Sequence, residues 1–225
     1  MTAIGVLLPS PGYSQRVASL AEHTGADAEA LITASIADAV SAVAGSGGEW
    51  YVIPTTEPTA DSFEVATVID TIVEASPDGS DPVLQLDPIT TTDGISPLIE
   101  LLREHSEEAT MALVNPITPF LERRHIDAAA MRLRRHDVVI GPGVSQQWYY
   151  LGVKDTVSLH ASKDDFANLP VINEGLDQTT SIDLLPYLPD LSTAHGCQML
   201  PEQLALIERT QRHGAQYSRA VMQSE

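Results

Sequence analysis

Six short apolar runs punctuate the chain: AIGVLL at 3–8, WYVI at 50–53, VLQL at 83–86, MALV at 111–114, DVVI at 137–140 and WYYL at 148–151. Most are closed by Pro, Gly or Asn and spaced by segments of helical period, which is how strands buried between helices are written. This alternation predicts an α/β fold, a three-layer α/β/α sandwich around a mostly parallel central sheet.

The segments between the runs fill in the pattern. The first run stops at Pro9-Ser10-Pro11-Gly12, which reads as a loop. Ala28, Leu31, Ile32, Ser35, Ile36, Ala39, Val40 and Val43 then recur on one face of a helix, ended by the Gly-rich stretch 45–48. A helix is expected over 63–75, and Ser96-Pro97 supplies an N-cap and a first-turn proline for another that reaches about His105. Thr118-Pro119 is expected to cap a helix reaching about Arg135, and Leu200-Pro201-Glu202 to open a final one; loops and short helices are expected over 163–200. The reading is one domain over 1–225, with a core over 1–152 and a loop-rich section with a C-terminal helix over 153–225.

Composition narrows the partners. With 31 acidic against 12 basic side chains the formal charge is -19, and 43% hydrophobic residues are enough for a folded core under that acidic surface. A nucleic-acid binder held by phosphate contacts needs a basic stripe, and the one cationic cluster is Arg123, Arg124, Arg132, Arg134 and Arg135, expected along a helix face that offsets acidic neighbours. Only Lys154 and Lys163 are lysines, which with the acidity suggests a protein kept soluble in concentrated salt. Cys197 is the sole cysteine, so no intrachain disulfide forms; it and His195 are expected in a loop, without a metal or catalytic role. No apolar stretch approaches the ~20 residues of a membrane span, and residues 1–8 lack a signal-peptide pattern, so a cytoplasmic protein is expected.

No self-sufficient catalytic motif is present: no Gly-rich dinucleotide fingerprint, Walker loop, nucleophile elbow, paired-Cys knuckle or zincin helix. The informative positions are those just after the strands, because ligands of open α/β sheets sit outside the strands' carboxyl ends. These are 9–16, Asp87, 115–118 and 141–147.

Three of those segments carry a resemblance. PSPGYSQR at 9–16, LVNPITP at 113–119 and RRHDVVIGPGVSQQWYYLG at 134–152 are similar to the glycosyltransferase-A-like domain family of uncharacterised function, related to nucleotide-sugar transferases and nucleotidyltransferases. The resemblance covers residues 3–152 and implies the nucleotide-diphospho-sugar transferase fold. It also implies a nucleotide or nucleotide-sugar donor whose phosphates are neutralised by Mg or Mn and a basic side chain. On this chain it points to Pro9, Gly12, Arg16, Gln146 and Tyr149 around the nucleotide, and to Asp87 and Asn115 around the metal.

The departures are as telling as the matches. Family members carry Lys and Arg in the first loop, Asp at the end of the fourth strand, and Asp-Gly-Gly before the paired tyrosines. Here Gln15, Arg16 and Val17, then Asn115, then Gln146, Gln147 and Trp148 stand at those places. Hard cations draw most of their affinity from anionic oxygens, so a neutral Asn115 weakens any metal site. Two readings therefore stand: a glycosyl- or nucleotidyltransferase-like protein with impaired or altered metal-dependent catalysis, and a non-catalytic binding or assembly module of the same fold. Each candidate also has a structural role open to it: Gly12 as a turn residue, Arg16 as a helix-start residue, Asn115 and Asp87 as loop openers before proline, and Trp148, Tyr149 and Tyr150 as core.

Overall fold

The computed structural model describes residues 1–8, 13–24, 27–56, 84–85, 89–90, 94–159, 169–209 and 214–223. In chain order the elements are β1 (Ala3–Leu8), α1 (Tyr13–Thr24), α2 (Ala28–Ala44), β2 (Trp50–Thr56), β3 (Leu84–Gln85), β4 (Ile89–Thr90), α3 (Ser96–His105), β5 (Thr110–Val114), α4 (Arg123–Leu133), β6 (Val138–Pro142), β7 (Trp148–Lys154), α5 (Leu169–Glu174), β8 (Ile182–Leu184), α6 (Ala194–Arg209) and α7 (Gln216–Gln223).

The strands lie in the order β3-β2-β1-β5-β7-β6-β8, with β4 also pairing with β2. Every pairing is parallel except those of β7, which runs antiparallel to both β5 and β6. The connection from β6 to β7 is the turn 143–147, far too short for the crossover of a dozen or more residues that a parallel return needs. The six apolar runs of the sequence all hold described strands, and all residues of β1 and β6 are buried.

Alternation along the strands feeds two cores. Ile4, Val6 and Leu8 face α1, α2, α4 and α6, while Ala3 and Leu7 join Leu98, Ile99 and Leu102 of α3 on the other side. The result is the expected three layers. In β7 the alternation breaks: Trp148 belongs to the α3 side, but Tyr149 and Tyr150 both belong to the α2 side. The cause is a bulge, because Tyr150 pairs with Gly141 and Trp148 with Pro142, which leaves Tyr149 as the extra residue. A Cβ on Gly141 would stand 2.5 Å from the Tyr149 ring, so only glycine leaves room for the bulged side chain.

Several boundaries differ from the sequence expectation. The helix that Arg16 was expected to start does form, as α1 from Tyr13, although its apolar stripe is thin. α4 starts at Arg123, not near Thr118, because Glu122 and His125 close a capping box in which the Glu122 N–H donates to His125 Nδ1 at 3.0 Å. Burial pushes the His125 imidazole down to about 4, which keeps that nitrogen free to accept. The cationic cluster does offset acidic neighbours: Arg123 pairs with Asp127, Arg124 with Glu122 and Arg132 with Asp183. The last long helix begins at Ala194, so Pro201 lies inside it and His195 and Cys197 are helical, not in a loop. β8 and α7 were not foreshadowed. The helix expected over 63–75 falls outside the described residues.

Candidate functional site

The chain moves from β1 outward to β2 and β3 on one side, then places β5 on the other side of β1. Neighbouring parallel strands whose connections leave in opposite directions open a crevice at their carboxyl ends, the usual ligand position in sheets of this type. In this sheet the corresponding edge follows Leu8 of β1 and Val114 of β5, and α1 begins at the same edge.

Asn115 follows β5 at that point. Its N–H donates to the Tyr149 carbonyl at 3.1 Å and its carbonyl accepts from the Ile117 N–H at 2.8 Å, so the backbone is held against the bulge of β7. The side chain is 0% exposed, yet among the described residues neither Nδ2 nor Oδ1 has a hydrogen-bond partner. A buried amide left unpaired is uncommon, because desolvation without a replacement bond costs about 1–3 kcal/mol.

Three loops are stitched together beside it. Asp190, 1% exposed, accepts from the Ser145 N–H at 2.8 Å through one oxygen and from the Ser192 N–H at 3.0 Å through the other. Leu191 N–H donates to the Ile117 carbonyl at 2.9 Å, and Ser192 Oγ donates to Gln147 Oε1 at 3.1 Å. A Cβ on Gly143 would meet Asp190 Oδ2 at 2.6 Å, so this glycine lets the turn approach the carboxylate. Gln146, exposed at the tip of the turn, takes a left-handed φ of 68° that is unfavourable for a residue with a Cβ. Ser145 Oγ is buried without a partner.

The residues anticipated from the sequence fall as follows. Arg16 lies in the first turns of α1, 1% exposed. Asn115 and Gln146 stand at the carboxyl edge, after β5 and in the β6–β7 turn respectively. Tyr149 is buried and its hydroxyl donates to the Pro186 carbonyl at 2.9 Å. Burial also pushes the Tyr149 phenol far above its ordinary range. Pro9, Gly12 and Asp87 lie outside the described residues. Asp190 was not anticipated: in the sequence, Pro189-Asp190 looks like any loop opener, and only the folded loops reveal which backbone groups it serves.

As a home for Mg or Mn the described part of this edge fits poorly. Among the described residues no three of His, Cys, Asp or Glu come together, Asn115 offers one neutral oxygen, and both Asp190 oxygens accept backbone N–H groups. Nor is any helix among the described residues long and apolar enough to cross a membrane.

No protein-family model matches the chain, and no curated protein does. Among solved structures it is similar to a candidate nucleotide-diphospho-sugar transferase from Desulfovibrio desulfuricans G20, at 13% identity over 99% of this chain and 94% of that one, with a TM-score of 0.67. Looser likenesses are to HddC from Yersinia pseudotuberculosis, at 11% identity over 90% and 99% of the two chains with a TM-score of 0.49, and to the Mycobacterium tuberculosis H37Rv protein Rv0371C, crystallised with manganese, at 12% identity over 89% and 97% with a TM-score of 0.44. The first likeness shows the fold: it is that of the nucleotide-diphospho-sugar transferases.

Proposed function

We propose that the chain takes a nucleotide or nucleotide-sugar donor in the crevice at the carboxyl ends of β1 and β5, and that the metal-dependent transfer chemistry suited to this fold is impaired or altered in it. The observation that carries the reading is Asn115, a buried carboxamide without partners among the described residues, just after β5. A group kept polar there at a cost to folding is best explained by a ligand that completes it. Arg16, Gln146 and Tyr149, with Pro9 and Gly12, are the assigned nucleotide neighbours. Asp87 and Asn115 mark the metal position if Mg or Mn accompanies the donor. Were the protein active, the reaction would be glycosyl or nucleotidyl transfer.

A second reading, a non-catalytic binding or assembly module, is favoured by the neutral residues at the two places where carboxylates would serve a metal, Asn115 and Gln146. In either case we place the protein in the cytoplasm of a cell with concentrated salt, on the strength of its acidity and scarcity of lysine.

The test is thermal unfolding in molar salt with nucleoside diphosphates and nucleotide sugars, with and without Mg²⁺ or Mn²⁺. A specific ligand at about a hundred times its Kd adds about 2.7 kcal/mol. If no nucleotide, with or without metal, moves the transition, the donor reading fails. If a shift is found, product formation from the same donor separates the transferase from the binding module.

A further inference from the structure

We infer that this crevice holds its ligand without a divalent cation, through hydrogen bonds to the neutral carboxamide of Asn115. The inference rests on the donor-binding reading above and says how that binding is done.

Asn115 brings one donor, Nδ2, and one acceptor, Oδ1, both buried and both without a partner among the described residues. A cation can use only the oxygen: it would meet a single neutral ligand atom and leave the amino group unpaired beside a positive charge. A group that both donates and accepts satisfies both atoms at once. The hydroxyls of a ribose or a transferred sugar do this, and a phosphate oxygen does not. Two described polar groups of the edge point the same way. Asp190 spends its two oxygens on the N–H groups of Ser145 and Ser192, and Gln147 Oε1 accepts from Ser192 Oγ. The Asp190 carboxylate therefore shapes the turn 143–147 instead of collecting a metal. The turn in turn carries Ser145, whose buried Oγ is a third polar atom without a partner among the described residues. The ligand class is thus a nucleotide or nucleotide sugar recognised on its hydroxyls.

Isothermal titration calorimetry of the whole chain in molar salt tests this, with UDP, GDP, UDP-glucose and GDP-mannose as probes, each in EDTA and again in Mn²⁺. We expect at least one probe to bind in EDTA with a Kd within about threefold of its value in Mn²⁺, and Asn115→Leu, close in volume, to weaken that binding by at least about tenfold while keeping a cooperative unfolding transition. Should Asn115→Leu not fold, Asn115→Asp takes its place: losing the amide donor, it should lower the affinity in EDTA by a similar factor and make binding respond to Mn²⁺. Binding seen only with Mn²⁺ overturns the inference and leaves the donor reading standing. Failure of all four probes in both conditions overturns the donor reading and this inference with it. Undiminished affinity in EDTA for a folded Asn115 variant overturns the assignment to Asn115.

Discussion

Two buried polar side chains, Asp38 and Asn115, are treated in opposite ways. Asp38, on α2 and 5% exposed, accepts from the Tyr217 N–H at 3.0 Å, the Ser218 N–H at 3.0 Å and the Ser218 hydroxyl at 2.7 Å, and so caps the start of α7 from 180 residues away. Among the described residues Asn115 accepts and donates nothing with its side chain. The first arrangement joins the end of the chain to its second helix and is complete in the protein alone. The second is incomplete among the described residues, and it sits at the carboxyl edge of the sheet, just after β5. The contrast is between a polar group whose hydrogen bonds serve the architecture and one that the architecture leaves unpaired.

The largest test of that contrast is at the satisfied end. Asp38→Ala removes the acceptor for three donors, and the two on Ser218 are fully buried. At about 1–3 kcal/mol for each buried donor left unpaired, we expect a loss of roughly 4 kcal/mol in urea unfolding, with α7 released from α2. Amide hydrogen exchange confined to residues 216–223 would locate the damage. A loss under ~1 kcal/mol would mean that the cap is ornamental and that the two sites do not differ as described.

Acidity offers a second handle on the same group. Burial raises the Asp38 carboxyl from 3.8 to about 6, against the lowering effect of its hydrogen bonds from Ser218 and Tyr217. The folded chain thus holds this proton more tightly than the unfolded chain. The corresponding stability is fully present below pH ~4 and is lost as pH rises through 6. A shift of about two units at ~1.4 kcal/mol each gives a decline of about 3 kcal/mol across that window. Other acidic groups add their own slopes, so the measurement is the difference between the parent and Asp38→Asn at pH 4 and pH 7; identical slopes would remove Asp38 as the cause.

At the unsatisfied end the sign reverses. Asn115→Leu exchanges an unpaired buried amide for an apolar side chain of similar size, and we expect the ligand-free protein to gain about 1 kcal/mol. Loss of stability would show that the carboxamide serves the fold, and the distinction from Asp38 would collapse. A gain in stability together with lost nucleotide affinity would make Asn115 a residue retained for function at the expense of folding.

The same division governs what could be read from the sequence. The strands and α2 were legible because their burial is continuous or periodic, and the sequence pattern is a direct record of burial. β8 was not, because Ile182 and Leu184 are exposed on an edge of three residues. α7 was not, because its first turn is held by Asp38, and no local pattern reports a partner 180 positions away. Pro201 misdirected the start of α6, since proline favours a first turn but stands here within the helix. At the site, Asn115 and Gln146 could be singled out by their place after strands. Their consequences could not: the orphaned amide depends on what surrounds it, and the left-handed φ of Gln146 depends on the bulge and on Asp190.

The smallest effect concerns that turn. Gln146 holds φ 68°, a conformation that costs a residue with a Cβ about 1–2 kcal/mol and glycine almost nothing. Part of the gain from Gln146→Gly is offset by the greater freedom of glycine in the unfolded chain, so the net stabilisation should be about 0.5 kcal/mol. The turn already has supports that do not involve the Gln146 side chain: Ser145 N–H on Asp190, and the Gly143 N–H on the Gln147 carbonyl at 2.7 Å. Its path should therefore survive the substitution. If the side chain serves only the turn, nucleotide affinity will be unchanged while stability rises. If affinity falls as stability rises, Gln146 belongs with Asn115 among the groups kept at a cost to the fold, and the strain in the turn is part of the ligand site.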